Sequence, residues 1–392
     1  MRITHVVGLF SPEHGGPANE LPLHCRRQAA AGHAVSVRVL EGFPGTSPAI
    51  RLDPPIDWFA GRVAFPSRLG RSPGLRTRLR QDPSPDVYHL HGAWLRAMYY
   101  GAVEARRRQR PYLVHLMGMY ERYALGQKRL RKAVARVWFQ DRVLRGAACL
   151  HVNSPAEAAD LRRLGFTNPI ALVPVGVDVA GVARLQSLLP RSCPWPELVG
   201  REFLLFLSRL HPKKGIDLLL EAWARLSPGH PNHSLLVAGT GTPEYIRACR
   251  EKAKTLGIGR SVVWAGHVDE IQRCWAYSNA AFYVLPTYSE NFGNTVAEAL
   301  AHGTPVLTTT GTPWRHLSDR GCGWIASPTV NSLVEQLSKA LESTSAQRQL
   351  MGSGGRKLVE ERYSLTAALE ALDAIYHWVL GRAGKPACLF GQ

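Results

Sequence analysis

Three observations predict an α/β protein built from two doubly wound domains. The chain has 392 residues, more than one ordinary core holds and enough for two domains of about 190 residues each. Its first 39 residues alternate an apolar run, a glycine-containing loop, a helical stretch and a second apolar run, which is a βαβ opening. Near the other end, Ala280–Leu285 is an apolar run closed by Pro286 and followed by a polar loop, Thr287–Gly293. A helical stretch over Asn294–His302 comes next, and Gly303 and Pro305 end it. Unbroken apolar strands alternating with helices fit parallel sheets covered on both faces.

Composition narrows the partners. The net charge of +18 is uneven: residues 1–190 hold 27 Lys+Arg against 13 Asp+Glu (+14), and residues 191–392 hold 21 against 17 (+4). Such an excess can serve nucleic acid, anionic lipid or an anionic substrate, and an arginine-rich composition accounts for it with no function at all. No module of interleaved basic and aromatic residues is present, so nucleic acid is not expected. No apolar run approaches the ~18 residues of a membrane span. The stretch Met1–Val7 is too short for a signal peptide and reads as a first strand. Seven scattered cysteines without a C-x-x-C pair suit reduced thiols. A cytoplasmic protein is the expectation.

In chain order, Met1–Leu9 is a strand and Ser11–Asn19 a loop containing Gly15 and Gly16. A helix carrying Leu21, Leu23, Cys25 and Ala29 leads to the strand Ala34–Val39. Paired glycines let backbone approach a ligand, although the dinucleotide pattern G-x-G-x-x-G is missing. Asp86–Gly92 is a short strand ending in His91, where a histidine serves as readily for packing as for contact. Pro111–Leu116 is a strand, and Gln127–Arg145 is a strongly basic helix. Leu130, Val134, Val137, Trp138, Val143 and Leu144 are its expected apolar side, with Lys128, Arg129, Arg131, Lys132, Arg136 and Arg142 around it. That pattern fits a helix packed on one face and solvated on the other, or one touching a membrane surface. Cys149–Ser154 and Ile170–Pro174 are further strands. Residues 180–200, with three prolines, read as a linker after a first domain spanning 1–180.

The second domain, 200–364, opens with the strand Glu202–Leu207 and a loop holding Arg209 and Lys214. Cations beside a strand-to-helix loop suit a diphosphate, the arginine as a fork and the lysine as a point charge; they also simply aid solubility. Ser234–Ala238 runs into Gly239-Thr240-Gly241, a turn where backbone can pass close to a nucleotide or merely reverse. Further on, Glu290 lies in the 287–293 loop and Glu298 eight residues later, so both can face one cleft. The backbone N–H groups of Asn291, Phe292, Gly293, Asn294 and Thr295 point out of the helix start and can donate to sugar or phosphate oxygens. A loop glutamate and a solvated helix glutamate near a helix dipole are equally ordinary. Two helical stretches, 330–343 and 345–363, and an apolar helix over 365–380 complete the chain.

The continuous string Glu290-Asn291-Phe292-Gly293-Asn294, Glu298-Ala299-Leu300-Ala301 and Gly303-Thr304-Pro305-Val306 closely resembles the E-x7-E signature of retaining glycosyltransferases of family 4. The resemblance extends to Arg209-x4-Lys214-Gly215 and to His89-Leu90-His91-Gly92, and it covers most of residues 1–375. It implies the GT-B fold: two Rossmann-like domains facing across a cleft, with the last helix crossing back onto the first domain. By the same resemblance Glu290 contacts donor-sugar hydroxyls, Glu298 binds ribose, Arg209 and Lys214 hold the diphosphate, and His91 approaches the donor sugar. Gly15 and Gly16 would lie near donor phosphate and acceptor. The chain departs from the family in having Met117 where arginine is common before Gly118, and Val175 where asparagine is usual.

The resemblance implies transfer of a hexosyl unit from a nucleotide sugar to a hydroxyl of a glycan or lipid-linked acceptor, with retention. No cofactor is expected, and with no D-x-D in the chain no metal is expected to hold the diphosphate. Loose contact with an anionic membrane is expected from the basic first domain. The rival readings are an inverting enzyme of the same fold, such as a nucleotide-sugar epimerase or phosphorylase, a non-catalytic assembly partner and a nucleic-acid binder.

Overall fold

The computed structural model describes residues 1–12, 16–126 and 129–391. It divides into two compact units, Met1–Gly176 with Thr366–Gln392, and Val177–Leu365.

The first unit holds seven parallel strands: β1 (Arg2–Val7), β2 (Ala34–Glu41), β3 (Asp57–Arg62), β4 (Val87–His91), β5 (Tyr112–His115), β6 (Cys149–Val152) and β7 (Ile170–Leu172). Their order is β3-β2-β1-β4-β5-β6-β7, so successive connections change direction between the neighbours β1 and β4. Val6, Leu90, Val114 and Leu150 pack one face against Met98, Ala102 and Leu144 from the covering helices. Ile3, Val87, Leu113 and Cys149 pack the other against Leu372, Ile375 and Tyr376 of the helix Leu365–Val379, which thus belongs to this unit.

The second unit holds β8 (Glu202–Leu207), β9 (His233–Ala238), β10 (Val262–Gly266), β11 (Phe282–Leu285), β12 (Val306–Thr309) and β13 (Gly323–Ala326). Their order is β10-β9-β8-β11-β12-β13, and every pairing is parallel. Here the direction changes between β8 and β11. Open α/β sheets bind ligands at the carboxyl ends of strands at such a switch point, because the two loops leave toward opposite faces and open a crevice. The loops after β8 and β11 are the two that carry Arg209, Lys214 and Glu290.

Three segments differ from their sequence readings. The stretch 180–200 is not all linker: Val179–Ser187 is a helix of the second unit, since its prolines begin only at Pro190. Gly16 opens the helix Gly16–Ala30 rather than lying in a loop, and Gly15 falls outside the described residues. The basic stretch is helical over 129–145 but contains a π-turn at Arg136–Gln140; residues 127 and 128 lie outside the described ones. A π-turn inserts a residue and rotates the helix beyond it. Ala135, Phe139, Val143 and Leu144 are buried, while the expected core residues Val134, Val137 and Trp138 are 66%, 85% and 54% exposed, the offset already being present at Val134, before the π-turn.

Candidate active site

The second unit builds its site from the β8 and β11 loops. After β8 the chain forms a 3-10 turn at Pro212–Lys214 and enters the helix Ile216–Leu226 through Gly215. Gly215 has φ +70, and a Cβ there would stand 2.1 Å from the Pro286 carbonyl oxygen, so only glycine lets the loops meet. The Lys213 carbonyl accepts from Tyr288 N at 2.9 Å and lies 2.9 Å from Thr287 Oγ1. The loop after β11 is also held from β12: Glu290 N donates to Gly311 O at 2.8 Å, and Trp314 Nε1 to Phe292 O at 2.5 Å. Each half of the crevice is thus fixed by backbone contacts before any ligand binds.

Glu290 stands between the two loops. Lys214 Nζ donates to its Oε1 at 2.6 Å, and Thr287 Oγ1 lies 3.0 Å from the same oxygen. The paired side chains are 17% and 11% exposed. Phosphate-binding and sugar-binding candidates are therefore one ion pair in the structure. Arg209 is exposed at the start of the loop, with His211 between it and the lysines. Burial and then the cations Arg209, Lys213 and Lys214 hold the His211 imidazole below its ordinary range.

Glu298 lies in the first turns of the helix Asn294–Ala301, which starts at Gly293 in the left-handed conformation. Its Oε2 accepts from the Tyr277 hydroxyl at 3.1 Å, and its charge raises the neighbouring Arg273 guanidinium further. The Tyr283 hydroxyl lies 2.7 Å from Thr295 Oγ1 and 3.0 Å from Leu207 O. Burial drives the Tyr283 phenol well up, and both Glu290 and Glu298 add to that rise. The two carboxylates thus share one buried tyrosine as neighbour. Val296, Ala297 and Leu300 on the same helix are core residues, and Asn291, Phe292 and Asn294 line the helix entry.

Gly239 and Gly241 are held to glycine by the neighbouring backbone. A Cβ on Gly239 would lie 1.9 Å from Ser208 O, and one on Gly241 2.3 Å from Leu210 O. The space a side chain would fill is taken by the protein's own β8 loop.

In the first unit, His91 is buried at the end of β4, its Nε2 2.9 Å from His5 Nδ1. Its Nδ1 is buried with no hydrogen-bond partner among the described residues. His91 is one of a layer that sequence reading missed: His5, His89, His91, His115 and His151 are all at most 5% exposed. Register explains it. His5 pairs with His89, and His91 with His115 and then His151, across adjacent parallel strands. A histidine within three residues of the end of β1, β4, β5 and β6, strands that are neighbours in the sheet though not all in the chain, was the available signal. Burial lowers every ring, His5 and His151 to about 4.

This architecture of two parallel α/β units, with neighbouring cation and carboxylate loops at a switch point, is that of the GT-B enzymes. Residues 195–358 match the family model "Glycosyl transferases group 1", and residues 15–176 match "Glycosyl transferase 4-like domain". The chain belongs to the group 1 glycosyltransferases of family 4 type. It is 31% identical over 254 residues to D-inositol 3-phosphate glycosyltransferase 2 of Catenulispora acidiphila, covering 59% of this chain and 57% of that one. The chain spans just over half the length of the curated relatives it matches. Among solved structures it resembles sucrose-phosphate synthase of Thermosynechococcus elongatus (TM-score 0.74, 20% identity, 98% of this chain and 100% of that one). It also resembles Anabaena HepE in complex with UDP-glucose (TM-score 0.71, 17% identity, 96% and 99%).

Proposed function

We propose that the protein transfers a hexosyl unit from a nucleotide-diphosphate sugar to a hydroxyl of a glycan or lipid-linked acceptor, with retention at the anomeric carbon. The observation that carries this is the Lys214–Glu290 pair at the β8/β11 switch point, with Arg209 exposed on the same loop. Negative charge grows on the leaving diphosphate, and fixed donors aimed at it are the chief electrostatic aid such a site can offer. Arg209 and Lys214 supply that charge. Lys214 turns from Glu290 to phosphate when donor binds, and the freed Glu290 carboxylate accepts from sugar hydroxyls. Glu298, steadied by Tyr277, accepts from ribose. The bond from the anomeric carbon to the diphosphate oxygen breaks as the acceptor oxygen bonds on the same face, and the acceptor proton passes to the leaving oxygen. Glu290 is thus a recognition group, and no protein nucleophile is required.

The acceptor reading rests on the first unit. An open pocket of about 1180 Å³ is walled by Phe65, Leu69, Trp94 and Leu95 and rimmed by Arg68, Arg71, Arg96 and Lys132. Arg96 stacks over Trp138 at 5.1 Å, and Lys132 over Trp94 at 5.4 Å. Cations around apolar walls fit an amphiphile with an anionic head, and the exposed Phe65, Val137 and Trp138 fit a membrane interface. No helix among the described residues is long and apolar enough to cross a membrane. Attachment through this patch would be peripheral, from the cytoplasmic side.

The test is a thermal-shift screen of UDP-, GDP- and ADP-sugars, followed by NMR of the product's anomeric centre. A stabilising donor and a product of unchanged configuration are expected; inversion would overturn the retaining assignment. HepE binds UDP-glucose, which makes UDP-sugars the first to try.

A further inference from the structure

The histidine layer of the first unit contains a set of nitrogens that the transfer reaction does not use. We propose that His89, His115 and His151 form a transition-metal site inside the first unit. One ligand atom from each lies within 4.8 Å of the others. On an ion with bonds of ~2.0–2.1 Å in tetrahedral geometry, ligand nitrogens stand about 3.4 Å apart. His89 Nε2 and His151 Nδ1 are already 3.3 Å apart. His115 stacks on His151 with ring centroids 3.7 Å apart, so it must tilt off that stack and draw inward.

The hydrogen bonds on the far side of each ring decide which nitrogen is free. His151 Nε2 is 3.0 Å from the Val173 carbonyl, which can only accept, so the proton sits on Nε2 and the Nδ1 lone pair points inward. His115 Nε2 is 2.9 Å from Asn153 Oδ1, which likewise leaves Nδ1 with a lone pair. His89 Nδ1 is 2.8 Å from the Tyr376 hydroxyl. Without metal, His89 donates from Nε2 to His151 and accepts from Tyr376. With metal, its proton moves to Nδ1 and donates to Tyr376 Oη, so three lone pairs converge without a net loss of protons. Outer partners of this kind, on every ligand, are what orient metal-binding imidazoles. The rings are neutral at pH 7 because burial depresses all three, so no proton competes for the site. His91, in register with His115 and 5.7 Å from its ring, offers an unpartnered Nδ1 as acceptor for a metal-bound water.

The ligand class is a first-row transition metal that favours imidazole, such as Zn²⁺ or Co²⁺. The full chain, expressed without a histidine tag in zinc-supplemented medium, is analysed for metal by mass spectrometry and titrated with Co²⁺ after chelation. About one equivalent of metal and visible Co²⁺ bands of four-coordinate type are expected, together with a thermal midpoint that falls on chelation and recovers with Zn²⁺. His151→Gln abolishes the bands. If that variant does not fold, Tyr376→Phe serves: it keeps the ring and packing but removes the partner of His89, and should weaken metal 10–100-fold. Fewer than 0.1 equivalents of any transition metal, with no Co²⁺ bands and no chelator effect on the wild type, overturn the site. A Co²⁺ affinity that is the same in Tyr376→Phe and His151→Gln as in wild type would place the metal elsewhere and overturn it equally.

Discussion

A double-mutant cycle on Lys214 and Glu290 probes the site at its centre. Their contact is 2.6 Å between side chains 17% and 11% exposed. At an effective dielectric near 20, charges at that range attract by roughly 6 kcal/mol, most of it offset by the water each has lost. The net worth is therefore read by truncation. Lys214→Met leaves Glu290 Oε1 with Thr287 Oγ1 as its neighbouring donor and should cost about 3 kcal/mol, the lower end for a buried pair because water retains some access. For a unit of this size that is about 6–12 °C of thermal midpoint. Glu290→Gln keeps an acceptor and should cost less, about 1.5 kcal/mol. The double variant should fall short of the sum by about 1 kcal/mol or more. The functional readout is calorimetry with bare nucleoside diphosphate and with the nucleotide sugar. Glu290→Gln frees Lys214 for phosphate, so the bare diphosphate binds as well as before, while selection among sugars is lost. Glu298→Gln weakens both ligands. Additive stabilities within about 0.5 kcal/mol, or equal losses of bare diphosphate in both glutamate variants, would refute the pairing and the division of roles.

Arg209→Ala should lower kcat by a factor on the order of 10²–10³ with an unchanged thermal midpoint, because the side chain is exposed; near-wild-type turnover would remove it from the diphosphate site. The buried histidines have folded pKa values below their unfolded ones, so the stability they confer is full above about pH 6.5 and is lost as pH falls toward 4. His5 and His151, each at about 4, should each cost about 1 kcal/mol between pH 7.5 and 5.5, and a flat midpoint over that range would contradict their burial as neutral rings. Gly215→Ala should disrupt both loops, since its Cβ would meet Pro286 O at 2.1 Å; differential scanning calorimetry should show a loss of at least about 2 kcal/mol. Trp138→Ala with Val137→Asp should reduce sedimentation with anionic liposomes at low salt while leaving the donor-site midpoint shift intact, and unchanged sedimentation would exclude that patch.

The sequence alone determined the fold class and the two-unit organisation, and it put the second unit's candidate residues on their loops. Those are local matters: the apolar run closed by Pro286 contains the buried strand Phe282–Leu285, and Glu290 through Pro305 is one uninterrupted string whose loop, helix start and glycine stop are set by neighbours in the chain. Arg209 and Lys214 were legible for the same reason, lying on one strand-to-helix loop. The tertiary structure decided what depends on segments far apart in sequence. That Lys214 and Glu290, 76 residues apart, form one ion pair follows from β8 and β11 being sheet neighbours. That Gly239 and Gly241 make room for Ser208 and Leu210 follows from the same sheet. The exposure of Val134, Val137 and Trp138 turned on which stripe of this π-interrupted helix packs inward, which the spacing of its apolar residues did not report. The histidine layer shows the limit most plainly. Each histidine sits in an ordinary strand, and only parallel register across β1, β4, β5 and β6 brings five rings to one buried face, where desolvation keeps them neutral.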